Sequence, residues 1–448
     1  MALSSRRTLL LAALAAIATA AFSAAPLYAA RAPQQQPAPQ KKPAPSSKQA
    51  EAAPAAPANR TYSKPKIRTI TAFIHLDPSL YPQQFVDTLD FLHKAKAAYE
   101  QSGYEVQTLR IATQPFPEYT RDLSPVEVFK FLRTLDHLAE AQDFLLAVGP
   151  AMQKPGDESH WAELLANAIA PASHMNGSVV IAGDDGIHWE AVQASARVME
   201  FLSIHSPKGI ANLNFAATAM VPPGTPFFPA AYASGAGHEF AIGLQSADVI
   251  AEALATTHDP SVAAQAIIDK LSVHAKNIEE TSREVARQTG WQYSGIDLSP
   301  APLKRESIGA AIESFNGAWL GSSGTLSTAE MITHAIQSVP VTRTGYSGLM
   351  LPVMEDSVLA RRWSEGSLTL DSLLSYSAVC GTGLDVVPLP GRVSHEQLVR
   401  IIGDVASLAV KWHKPLSARL LPIAGKDAGD RTEYDDPKLV NVMIRPLP

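Results

Sequence analysis

The sole cysteine of this 448-residue chain, Cys380, lies in the run Cys380-Gly381-Thr382-Gly383-Leu384-Asp385-Val386-Val387-Pro388-Leu389-Pro390-Gly391. A thiol beside amides that glycine leaves accessible is the arrangement of a nucleophile or a ligand-contacting group. Three further stretches carry groups of the same kind: Asp297-Leu298-Ser299, Glu355-Asp356, and Arg419 followed by Gly425-Lys426. Asp297, Glu355, Asp356 and Asp385 supply carboxylates for acid/base work or for a divalent cation. Gly381, Gly383 and Ser299 supply close-approach and hydrogen-bonding positions, and Arg419 and Lys426 supply charge against an anionic ligand. Each has a structural alternative. Asp297 with Ser299 also reads as a turn, Glu355-Asp356 as an acidic first helical turn, and a free cysteine as a small buried hydrophobe.

The elements that must position these residues alternate in type. Short β-rich runs fall at Ile67–Ile74, Val106–Ile111, Phe144–Val148, Ser178–Ala182, Ile210–Ala216 and Phe240–Leu244. Further runs are Gln292–Asp297, Gly348–Val353, Asp385–Pro388, Ala418–Ile423 and Leu439–Ile444. Helical periodicity marks Gln83–Ser102, Glu190–Leu202, Val262–Thr289 and His395–Val410. Continuous apolar strands between helices predict a mainly parallel α/β sheet of ten or eleven strands, as a closed barrel or a large doubly wound sheet. In such folds ligands gather at the C-terminal ends of strands, where the four stretches above fall. His-Glu-x-x-His, Gly-x-Ser-x-Gly, P-loop and Gly-x-Gly-x-x-Gly motifs are all missing from the sequence. The segment Pro222 to Tyr232 reads equally as a loop over a barrel mouth and as a plain surface loop.

Compartment limits the chemistry. Residues 1–30 read as an export signal: Ser5-Arg6-Arg7-Thr8-Leu9-Leu10, an alanine-rich apolar run, and small residues near Ala29. The paired arginines resemble a twin-arginine leader, so a periplasmic or secreted location is expected, with no transmembrane anchor after cleavage. Residues 31–66 hold eight of the 34 prolines and read as a disordered linker. Residues 67–448 form one domain. Residues 1–66 carry nine Lys or Arg and one acid, which leaves 28 basic and 42 acidic residues, a formal −14, on the body. That charge disfavours nucleic acid as a partner and is compatible with a divalent metal ion. A single cysteine excludes an internal disulfide.

Several stretches together resemble one prokaryotic family. They are Ile67-Arg68-Thr69-Ile70-Thr71, Gly295 to Pro302, Leu351 to Ser357, Gly366 to Leu370, Cys380 to Asp385, Lys414-Pro415-Leu416 and Arg419 to Lys426. In order and spacing they resemble the domain of unknown function family 711, also called uncharacterised protein family 0210. The resemblance implies a ten-stranded α/β barrel like that of the glycyl radical enzymes pyruvate formate-lyase and anaerobic ribonucleotide reductase. The radical chemistry is not implied. A glycyl radical motif belongs downstream of the cysteine, and the nearest string here, Arg343-Thr344-Gly345-Tyr346, lies upstream. The expectation is an exported enzyme acting on a small polar or anionic molecule at the barrel mouth. The alternative is an exported small-ligand-binding protein without catalysis. The cofactor is unassigned, and pairing into a homo-oligomer is left open.

Overall fold

The computed structural model describes residues 64–447, all within one compact unit that spans 60–448. The export signal expected at residues 1–30, and all but the end of the linker expected at 31–66, lie outside the described residues. Ten strands build one sheet: β1 (Lys66–Ile74), β2 (Leu109–Thr113), β3 (Leu145–Pro150), β4 (Met175–Gly183), β5 (Gly186–Ile187), β6 (Phe215–Ala219), β7 (Gly237–Gln245), β8 (Gln292–Asp297), β9 (Gly383–Pro390) and β10 (Leu416–Ile423). Their order is β8-β7-β1-β2-β3-β4-β6-β10-β9, with the short β5 turned back on β4.

The sheet is mainly parallel, as expected, with six parallel pairings and three antiparallel ones. Strands β1, β2, β3, β4 and β6 run parallel to one another, but β7 is antiparallel to β1 and β10 is antiparallel to β6. Strand β8 follows β7, and β9 follows β10. Two of the expected strands are not strands. Within 348–353 there is only an isolated bridge, Pro352 to Asp385, and within 439–444 only Met443 to Arg431.

The segment Thr342–Val353 touches both edges of the sheet. Arg343 bridges Ile296 of β8, and Pro352 bridges Asp385 of β9. Nine residues of extended chain reach roughly 31 Å, whereas eight inter-strand gaps laid flat would span roughly 38 Å. The sheet must therefore curl to bring β8 and β9 toward each other. Gly295 permits the close approach on the β8 side: its φ is +133°, and a Cβ there would sit 2.9 Å from the Thr342 carbonyl oxygen.

Curling leaves an outer face covered by helices and an inner face that must be filled. Ala112, Ala147 and Ala241 join Phe73 on the inside, and the room left by these small residues is taken by the β6–β7 connection. Phe228, Ala231 and Ala233 of that connection pack among them. Pro222 to Tyr232 is thus an inserted finger and not a surface loop. The Tyr232 carbonyl accepts from Gly224 N–H, and its hydroxyl donates to the Val221 carbonyl, which holds the finger's base.

Asp356 anchors two helices at once. It is the N-cap of Ser357–Glu365, accepting from Val358 and Leu359 N–H at 2.8 and 3.1 Å. It also accepts from Ser307 Oγ at 2.6 Å and Gly309 N–H at 3.1 Å, at the start of Ile308–Asn316. Truncation removes a cap and orphans buried donors. Asp356→Ala is expected to lower unfolding stability by about 2–4 kcal/mol, read from urea midpoints; a change within 0.5 kcal/mol of zero would show that this double anchor is not a stabilising element.

Candidate functional site

At the barrel end where β1–β4 and β6 begin and β7 and β8 finish, a cavity of about 260 Å³ opens. Its walls come from strand starts, from the finger and from the C-terminal segment. Arg68 and Thr69 project from β1, Arg110 from β2, Asn176 from β4 and Arg419 from β10. Phe227 and Phe228 come from the finger tip, and Asp436 and Lys438 from the C-terminal segment. Asp297, Ser299, Met350 and Glu355 complete the wall.

Arg419 is the centre of the charged side. Its Nε donates to Asp385 Oδ1 at 2.7 Å and its Nη2 to Glu355 Oε1 at 3.2 Å. Glu355 Oε2 lies 3.8 Å from Arg68 Nη2, so this carboxylate sits between two guanidinium groups. A bulge aims Asp385. Ala418 pairs with Leu384 and Leu420 with Val387, so Arg419 faces both Asp385 and Val386. Val386 adopts φ +48°, a conformation costly for a β-branched side chain and retained only where its surroundings fix it. The turn that presents Glu355 is fixed by Glu355 N–H to the Pro352 carbonyl and Lys304 N–H to the Glu355 carbonyl.

Burial drives the carboxyl of Asp385 above its ordinary range; Arg419 pulls the other way without prevailing, and Glu355 adds to the upward push. Asp385 Oδ2 is buried and has no hydrogen-bond partner. Burial works against the charge on Arg419 too, but Asp385 and Glu355 outweigh it and hold that guanidinium above its ordinary value. Asp297 is likewise raised by burial. It accepts from the amides of Ser299, Tyr346 and Ser347 at 3.0, 3.1 and 3.1 Å. Gly345 makes room for that contact, because a Cβ there would collide with Asp297 Oδ2.

Arg110 is different. Among the described residues its one hydrogen bond is Nη1 to the Pro226 carbonyl at 3.4 Å, and its Nε is buried without a partner. Among the described residues it makes no ion pair. The Phe228 ring lies 4.8 Å from its Cζ. Burial, with Arg68 and Arg419 nearby, pushes it down to about 9, so it stays charged at neutral pH.

The residues singled out from sequence divide by place. Asp297, Ser299, Glu355 and Arg419 line the cavity, and Asp385 sits behind Arg419. The others do not reach it. Cys380 is 1% exposed within the main hydrophobic core, so the thiol expected as a nucleophile packs as a small apolar side chain. Gly381 lies against the backbone of Gly348 and Gly383 against that of Ser417, so both serve chain packing. Asp356 is the double helix cap, and Lys426 pairs with Glu433 at 3.2 Å. Among the described residues no three His, Cys, Asp or Glu side chains are grouped to hold a metal ion.

Arg68, Arg110, Lys438 and the finger phenylalanines are additions from the structure. Searching strand C-termini passes over Arg68 and Arg110, because five strands present their N-terminal ends here. A usable signal was present: Ile67-Arg68-Thr69-Ile70, Leu109-Arg110-Ile111 and Ala418-Arg419-Leu420 each place arginine inside an otherwise buried strand.

The family described as "Uncharacterised ACR (DUF711)" matches residues 61–435. The chain belongs to the DUF711 family. Among curated DUF711 relatives, a UPF0210 protein of Pyrobaculum arsenaticum is 31% identical over 400 residues, covering 81% of this chain and 86% of that protein. A second, from Pyrobaculum aerophilum, is 30% identical with the same coverage. Of solved structures, the anaerobic ribonucleotide reductase of Thermotoga maritima in complex with dATP and CTP is similar with a TM-score of 0.38 and 9% identity. That likeness covers 81% of this chain and 79% of the other. No helix among the described residues of this DUF711 member is long and apolar enough to cross a membrane.

Two outcomes are expected. A thiol reagent should label Cys380 only after denaturation; rapid labelling of the native protein would contradict its burial. For Asp297, Asp356 and Asp385 a raised folded value means the folded state binds more protons than the unfolded one. Their contribution to stability is therefore complete below about pH 4 and is lost as pH rises through the raised values. Asp385→Asn should lose less stability than the parent between pH 4 and pH 8 in denaturant titrations, and parallel losses would contradict the assignment.

Proposed function

We propose that this protein is an exported enzyme that binds a small anionic molecule in the arginine-lined cavity and acts on it by proton transfer at Glu355. The observation that carries the reading is Arg110, a buried guanidinium with a free Nε and no carboxylate partner among the described residues. A buried cation of this kind is costly unless an anion completes it. The rest of the cavity supports the same ligand. Arg68, Arg419 and Lys438 add positive charge, and Phe227 and Phe228 supply an apolar wall of the sort that small-molecule sites use.

Glu355 is the carboxylate best suited to proton transfer. Its side chain is 13% exposed and it lines the cavity, whereas Asp297 is held by three amides and Asp356 is a cap. Reaction classes that need one proton-handling carboxylate beside an anion-binding arginine fit: isomerisation, elimination or hydrolysis of a small acid. The second reading is binding without turnover. It draws on the ion pairs from Arg68 and Arg419, which engage both oxygens of the Glu355 carboxylate.

A panel of small organic anions should raise the thermal midpoint of the protein, and at least one should be consumed when followed by NMR. Arg110→Ala should abolish the stabilisation. Glu355→Gln should retain binding and lose turnover by about 10²–10⁴-fold. Stabilisation without consumption would leave only the binding reading, and no stabilisation by any anion would remove both. Export rests on the leader at residues 1–30, and a mature protein that still begins at Met1 would overturn it.

A further inference from the structure

The class of anion can be narrowed from the geometry of Arg110. We propose that the cavity takes a small monocarboxylic acid, with its carboxylate lying side-on against the Nε–Nη2 edge of Arg110. This rests on the anion-binding reading above and specifies its ligand.

A guanidinium offers five donors in one plane, and each edge fits a different approach. At Arg110 the Nη1 donor is spent on the Pro226 carbonyl at 3.4 Å. The Phe228 ring, 4.8 Å from Cζ, covers a face. What remains is the edge carrying Nε, which is buried and has no partner, and Nη2, which has none among the described residues. Those two N–H groups are parallel and spaced for the two oxygens of one carboxylate, the bidentate pairing that lysine cannot reproduce. Arg110 is itself 9% exposed, so the fork is held in a buried setting. Strand β2 fixes its stem, while the finger fixes its head from two sides.

Charge favours a monoanion. Arg419 is engaged by Asp385 and Glu355 and Arg68 by Glu355, whereas Arg110 has no carboxylate partner among the described residues, so one negative charge completes it. A phosphate dianion would overshoot. Phosphate sites also draw on free backbone amides at helix starts or in nests. Here the amides of Ser299, Tyr346 and Ser347 already donate to Asp297. Size agrees, since the cavity is about 260 Å³. That admits a short-chain acid.

The test uses the full-length mature protein, with acetate, lactate, pyruvate and benzoate set against inorganic phosphate and sulfate at matched ionic strength. Carboxylates should raise the thermal midpoint, and phosphate and sulfate should leave it unmoved. The comparison on the parent protein needs no variant. Arg110→Lys keeps the charge and loses the fork, so calorimetry should show carboxylate affinity reduced about ten- to hundredfold, in a variant whose circular dichroism matches the parent. Phosphate or sulfate stabilising as strongly as the carboxylates would overturn the carboxylate assignment and leave the anion reading standing. Arg110→Lys binding carboxylate as tightly as the parent would do the same. Silence of both classes of anion on the parent protein would remove the anion reading itself.

Discussion

Three arginine side chains enter one end of a curled sheet, and this concentration of buried positive charge constrains everything around it. A guanidinium taken out of water has to be paired, hydrogen-bonded or stacked. Arg419 is paired twice, with Asp385 and Glu355. Arg68 shares Glu355 and also donates to Gln245 at 3.3 Å. Gln245 in turn donates to Glu306, which pairs with Lys66 at 3.1 Å, so compensation spreads outward to the surface. Arg110 is stacked and only weakly hydrogen-bonded, and it is where the compensation stops.

The backbone devices at this end follow from that constraint. The bulge at Asp385 and Val386 puts two residues of β9 opposite Arg419, which lets the carboxylate meet Nε. The same Asp385 carries the bridge to Pro352, and Val353 N–H donates to its carbonyl at 3.0 Å. The turn that follows delivers Glu355 to the other side of Arg419. One residue of β9 thus fixes the ion pair, the sheet-edge contact and the entry to the Glu355 turn. The finger works from inside. Its Pro226 carbonyl accepts from Arg110 and from Thr71 Oγ1, and Phe227 lies 5.6 Å from the Arg419 Cζ. Removing its volume would expose Ala112, Ala147 and Ala241, which are too small to fill the interior themselves.

How far the sequence foretold this depends on the kind of signal. Gln292–Asp297 is a strand with the expected bounds, and the four long helices begin and end within three residues of their apolar periodicity. The strand expected at Ile210–Ala216 begins only at Phe215, because Pro207–Asn214 forms a short 3-10 stretch before β6. Gly348–Val353 has strand composition, yet it lies between two sheet edges where the geometry admits only single bridges. Strand direction was not legible: nothing local to β7 or β10 announces that each runs against its neighbour. The cavity accordingly lies at the N-terminal ends of β1–β4, where Arg68 and Arg110 stand, and not at strand C-termini. Cys380 misled for a different reason. The glycines around it serve chain-to-chain contact with Gly348 and Ser417, a role that composition cannot separate from ligand approach.

The four acids first singled out show how environment sorts identical side chains. Asp356 is saturated by four donors, and Asp297 by three amides that hold the Thr344–Ser347 turn. Asp385 has one oxygen on Arg419 and the other facing no donor, a state that favours its protonated form. If Asp385 takes up a proton, Arg419 loses a counter-charge and draws more heavily on Glu355. If an anion enters beside Arg110, the added negative charge acts on the same cluster and pushes the already raised Asp385 carboxyl further toward protonation. Ligand entry and the protonation of Asp385 are therefore coupled through Arg419, with no need for a moving part.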